Sequence, residues 1–174
     1  LHRSGRVAAK LMEAIAKKGK ITIIHIDEKF KNAIHMQEKE KGFRNYFLEN
    51  ANSKYEITTL KLKRTNYDTK LNDFLQENKD LSGVFITTSK SYQIAKIINE
   101  SANNKISIIG YDLLDKNIDL LNQGIIDFLI NQNPKQQVYL GISSLVDHFI
   151  FGKELSNETL LPIDIINSEN ASYY

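Results

Sequence analysis

Apolar residues in this chain change period repeatedly, from the spacing of an amphipathic helix to short continuous runs and back. Ser4 to Lys18 sets Val7, Ala8, Leu11, Met12 and Ile15 on one helical face, with Ser4 as N-cap and Gly19 as stop. Lys20 to Asp27 (ITIIHI at its centre) is too continuously apolar for a half-exposed antiparallel strand and predicts a buried one. The alternation then predicts helices over His35–Asn50, Asp68–Glu77, Ser91–Ala102, Lys116–Gln123 and Pro134–Phe151. Strands are predicted over Tyr55–Leu62, Gly83–Thr87, Ile106–Tyr111, Ile125–Ile130 and Pro162–Ile166. Short apolar strands joined through helices require right-handed crossovers, so the fold class is α/β: an open, mostly parallel sheet with helices on both faces.

Composition removes several chemistries. There are 174 residues without a cysteine, which excludes disulfides, thiolate zinc sites, iron–sulfur clusters and a cysteine nucleophile. Eight glycines, all isolated, form no phosphate cradle after any strand, and no Gly-x-Ser-x-Gly elbow is present. His2, His25, His35 and His148 lack metal-ligand spacing. His25, inside an apolar strand, is expected to be a satisfied core histidine. Lys39 and Lys41 alternate with Glu38 and Glu40, which predicts a solvated helix face. A net charge of +2 supplies no basic stripe for nucleic acid, and no apolar run approaches the length of a membrane span. No cofactor is expected, and no nucleophile–base pair supports an enzyme.

Open parallel sheets bind ligands outside the carboxyl ends of their strands. Those ends hold Asp27 and Glu28, Arg64 to Asp68, Thr87 to Ser89, Asp112, and Asn131 with Gln132. Asp112 can accept two hydroxyl hydrogen bonds, Gln132 can donate and accept, and Tyr67 offers a flat apolar face. The set suits a neutral polyhydroxylated ligand, whose edges carry hydroxyls and whose faces carry C–H groups. An Asp after a strand also serves as a helix cap, and a loop Tyr as packing.

SGRVAAKLM (Ser4–Met12), Gly42-Phe43, GVF (Gly83–Phe85), IGYD (Ile109–Asp112), NQNP (Asn131–Pro134) and Gly141 together resemble the sugar-binding core of two related groups. These are the LacI/GalR transcription regulators and the type I periplasmic sugar-binding proteins. The resemblance runs over nearly the whole chain, and IGYD followed by Gln-x-Pro is its most specific element. It implies that Asp112 and Gln132 bind sugar hydroxyls and that Tyr67 stacks on the sugar ring. A polar residue ending the third strand, often Asn, falls at Thr88, and an arginine often found before Gly-Phe falls at Gln37.

The resemblance also implies an architecture. Residues 1–132 would form the C-terminal lobe of a two-lobed effector domain, and residues 133–174 a returning helix and final strand that join an absent N-terminal lobe. Leu1, standing where Met would begin a protein, carries the expectation of a longer polypeptide. The function implied is ligand sensing, with a sugar or related small polar effector, in a cytoplasmic homodimeric LacI-type regulator that reaches operator DNA through an absent helix-turn-helix and has no membrane part. The alternative is a periplasmic sugar-binding protein of a transport system. Val138, Ile142, Leu145, Val146 and Phe149 form an apolar stripe on the Pro134 helix, expected to pack on a second copy or on another surface of the chain.

Overall fold

The computed structural model describes residues 1–26, 33–50, 54–102 and 104–174. Helix α1 (His2–Ile15) leads into strand β1 (Gly19–Ile26), followed by α2 (Ile34–Glu49), β2 (Tyr55–Leu62), α3 (Tyr67–Glu77) and β3 (Leu81–Ile86). Then come α4 (Ser91–Ser101), β4 (Ser107–Tyr111), α5 (Asp115–Asn122), β5 (Phe128–Asn131), α6 (Pro134–Phe151) and β6 (Asp164–Ile166). A short 3-10 turn, Ala171–Tyr173, closes the chain.

The six strands form one sheet in the order β2-β1-β3-β4-β5-β6. The first five are parallel, with Ile23 opposite both Thr59 and Phe85, and β6 runs antiparallel to β5 with Ile166 opposite Leu129. Because side chains alternate across a strand, β1 divides its apolar residues between two cores. Ile21 and Ile23 pack with α1 and α2 around Met12, Phe43, Phe85 and Tyr111. Ile24 and Ile26 face Leu71, Ile94 and Leu121 of α3, α4 and α5. Both faces are therefore covered, as the continuous apolar strands require.

Helices α1 and α2 meet through reciprocal glycines. A Cβ on Gly5 would collide with the Lys39 carbonyl, and one on Gly42 with the His2 carbonyl. The packed pair brings Phe43 into a stacked arrangement with Phe85, ring centroids 4.7 Å apart.

Four expectations change. Helix α1 starts two residues before Ser4, whose hydroxyl turns back to donate to the Leu1 carbonyl at 2.7 Å from inside the first turn. Strand β5 starts later than Ile125, because the amides of Ile125 and Ile126 both close on the Leu120 carbonyl after Gly124, and the Asp127 carboxylate takes the Ile108 N–H of β4. The final strand, expected to join a lobe outside this chain, pairs with β5 in the chain's own sheet. Helix α6 buries none of its residues, so its stripe does not pack on the chain itself; Phe149 is 80% exposed. Among the described residues no helix is long and apolar enough to cross a membrane.

Candidate functional site

Strands β3, β4 and β5 end side by side, and each exit carries a polar turn. At β4, Asp112 adopts a left-handed conformation, φ 65°, with its N–H donating to the Ile130 carbonyl of β5 at 3.1 Å. At β5, Asn131 accepts from the Asn133 N–H through Oδ1 and donates to Asp164 of β6. Asn133, φ 46°, then caps α6 by accepting the Gln136 N–H at 3.1 Å, with Pro134 occupying the first turn. These turns aim Gln132 at Asp112: its Nε2 donates to Asp112 Oδ1 at 3.2 Å. The Gln137 side chain holds the Gln132 carbonyl at 2.6 Å.

The β3 exit is held from beneath. Thr87 is fully buried, its hydroxyl donating to the Ile24 carbonyl, and its Oγ1 lies 2.7 Å from His25 Nδ1. Thr88, next along, has a buried hydroxyl oxygen with no hydrogen-bond partner. An unpaired buried hydroxyl of this kind costs about 1–3 kcal/mol. Ser91 Oγ donates to the Thr88 carbonyl and accepts the Tyr111 N–H, both at 3.3 Å.

Lys39 of α2 is 2% exposed and places its ammonium 3.5 Å from the Tyr111 ring centroid while donating to the Thr87 carbonyl at 3.0 Å. Tyr111 in turn donates to Ser4 Oγ at 2.9 Å. Burial pushes its phenol above the ordinary range, and the nearby Asp112 carboxylate adds to that.

On the β1 side of the same core, His25 Nε2 donates to Glu40 at 2.7 Å, so His25 is the satisfied core histidine expected of it. Glu40 also accepts from Thr59 Oγ1 at 2.6 Å and Arg44 Nε at 2.8 Å. Burial alone would raise the Glu40 carboxyl, but His25, Thr59 and Arg44 overcome that and bring it down to about 2. Lys39 and Glu40 thus leave the solvated face predicted for them. They fall at the third and fourth positions after the buried Met36, on the stripe that continues to Phe43 and Phe47.

The structure brings Asp112 and Gln132 into contact and ties Thr88 to Tyr111, beside Asp112, through Ser91. Tyr67 opens α3 and packs against the apolar cluster around Leu71 and Leu75. Gln37 lines a groove between α2 and β2 with Glu40, Arg44 and Lys61. Asp27 and Glu28 lie outside the described residues. Next to Gln132, the start of α1 and the segment 158–163 enclose a cavity lined by His2, Arg3, Asn131 and Leu161. Among the described residues the strand ends therefore offer a carboxylate and a carboxamide in contact, with the buried Thr88 hydroxyl at the neighbouring exit, a set suited to hydrogen bonding.

A family model described as a periplasmic binding protein domain matches residues 2–154. No curated protein matches the sequence. Among solved structures, a protein assigned as a LacI transcriptional regulator from Bacteroides fragilis shares 32% identity and a TM-score of 0.89, over 99% of this chain and 61% of that one. An ABC transporter periplasmic solute binding protein from Actinobacillus succinogenes 130z, with bound D-allose, has 22% identity and a TM-score of 0.81 over 99% and 60%. An ABC transporter solute binding protein from Burkholderia graminis C4D1M, in complex with D-arabinose, has 17% identity and a TM-score of 0.83 over 99% and 61%. The chain spans about three fifths of each of these structures. The α/β architecture is that of the type I periplasmic-binding-protein-like fold, and with the family model covering most of its length, the chain belongs to the periplasmic binding protein domain family.

Proposed function

We propose that this chain is the effector-binding part of a LacI-type transcription regulator, with a sugar or related small polar molecule as the signal. The observation that carries the reading is the 32% identity to the Bacteroides fragilis protein, against 22% and 17% for the two solute binding proteins. Sugar as the ligand class is supported by the Asp112–Gln132 pair, which leaves Asp112 Oδ2 and Gln132 Oε1 available to hydroxyls. The D-allose and D-arabinose complexes of proteins with this fold point the same way. In this reading the chain is non-enzymatic and cytoplasmic, acts in a homodimer, and reaches operator DNA through a helix-turn-helix outside these 174 residues. Ligand held between two lobes favours one relative placement of the DNA-binding heads through its differential affinity for the two states.

A second reading, a periplasmic sugar-binding protein serving a transporter, is favoured by the several transport proteins that share the fold. The discriminating experiment uses the complete natural protein and DNA from upstream of its own gene. The regulator reading expects specific binding whose affinity shifts by about 5- to 150-fold with the effector sugar. Absence of DNA binding, together with export and a cleaved leader, would replace it with the transport reading.

A further inference from the structure

Asn117, in the first turns of α5, has the look of an ordinary polar helix residue in the sequence DKNIDLL, yet it is fully buried. Its side chain turns back from the helix into the ends of β3 and β4. Oδ1 accepts the Tyr92 N–H at 2.8 Å, satisfying one of the amides that the first turn of α4 leaves without an intrahelical partner. Nδ2 faces three carbonyls: Ser89 at 2.9 Å, Tyr111 at 3.1 Å and Asp112 at 3.0 Å. With two hydrogens for three acceptors, one is shared. A single side chain thus joins the β3–α4 turn, which carries Thr88, to the β4–α5 turn, which carries Asp112.

Asp112 needs that hold. At φ 65° Asp112 sits in the left-handed region, which an L side chain enters at a steric cost, and its surroundings hold it there. Its N–H is fixed by Ile130 and its carbonyl by Asn117, and the turn so held is the one that presents the carboxylate to Gln132. Ser91 ties the same two turns on the other side, and Gly110 lies so close to Ser91 Oγ that it has no room for a Cβ.

We infer that Asn117 is a positioning residue for ligand binding: without touching the ligand, it locks the Thr88 and Asp112 turns into one preorganised unit. The inference rests on the sugar-pocket reading for its ligand, but the rigidity it describes belongs to the free protein. Preorganisation strengthens binding because the ordering is complete before the ligand arrives.

The test is Asn117→Ser in the complete protein, with amide hydrogen exchange followed in the absence of sugar. Exchange over 88–92 and 110–113 should rise by about tenfold or more while β1 and β3 stay protected. Unchanged exchange in those turns overturns the inference, as does a uniform rise across the domain. Should Asn117→Ser fail to fold, Asn117→Ala, a better helix former that removes the same hydrogen bonds, decides in its place, with the same rise expected in the two turns. Affinity supplies the second readout, with D-allose and D-arabinose as probes. Asn117→Ser should weaken binding about tenfold on the native background and scarcely further on Asp112→Asn, since it acts through Asp112. Fully additive losses would make Asn117 merely structural. If neither sugar binds the native protein, these probes count against the sugar reading, while the exchange data alone still decide the positioning role.

Discussion

Glu40 shows how far a single side chain's surroundings can depart from its local sequence. In the run QEKEKGF it alternates with lysines, yet it accepts hydrogen bonds from His25, Thr59 and Arg44 on three different elements. Its carboxyl, ordinarily near 4.5, is brought down to about 2 in the fold. A depressed folded pKa means stabilisation that is complete above the unfolded value and lost as pH falls through the folded one. Unfolding free energy measured by urea titration should therefore drop between about pH 4.5 and about pH 2. Glu40→Gln should flatten that drop and cost about 2–3 kcal/mol at neutral pH. An unaltered acid profile in the variant would remove Glu40 from the account. That Asp112 and Gln132 stand together at strand ends was legible in the sequence, because the strand–helix alternation fixes where each strand ends. Lys39 and Asn117 were not, since burial by distant elements, rather than neighbours in sequence, determines what they do.

At the scale of elements, strand–helix alternation carried the reading well, because period and continuity of apolar residues are properties of the chain itself. Among the described residues all six helices and every strand lie where the periodicity places them, within a few residues at the ends. Tyr67, expected in a loop, opens α3 instead and spends much of its ring on the core. The antiparallel direction of β6 depends on where 18 residues of α6 carry the chain, which no local pattern encodes. The α1–α2 contact gives an element-scale prediction. In an isolated helix, Gly→Ala stabilises by about 1 kcal/mol. Gly42→Ala should instead lower stability by about 1–3 kcal/mol, since its methyl group meets the His2 carbonyl and forces the helices apart. Thermal unfolding checks the sign, and a raised Tm would mean that the two helices have room to spare.

At the scale of the molecule, the two cores are complete within this chain, whereas the candidate site opens at one end of the sheet and α6 lies beside it with no buried residue. A chain spanning 61% of its LacI-assigned neighbour accords with a site finished by another part of a longer protein, as the proposed function requires. Under the proposed function the polar groups at the strand ends would form one wall of a pocket, with Asn117 and Ser91 joining the two turns that carry Thr88 and Asp112. Isothermal titration of the complete protein with a panel of monosaccharides that includes D-allose and D-arabinose tests this most directly, with Asp112→Ala in parallel. The account predicts that at least one sugar binds and that Asp112→Ala weakens it by about 1–3 kcal/mol, roughly 5- to 150-fold, with the fold intact. No sugar binding across the panel, or equal affinity in the Asp112 variant, would contradict it.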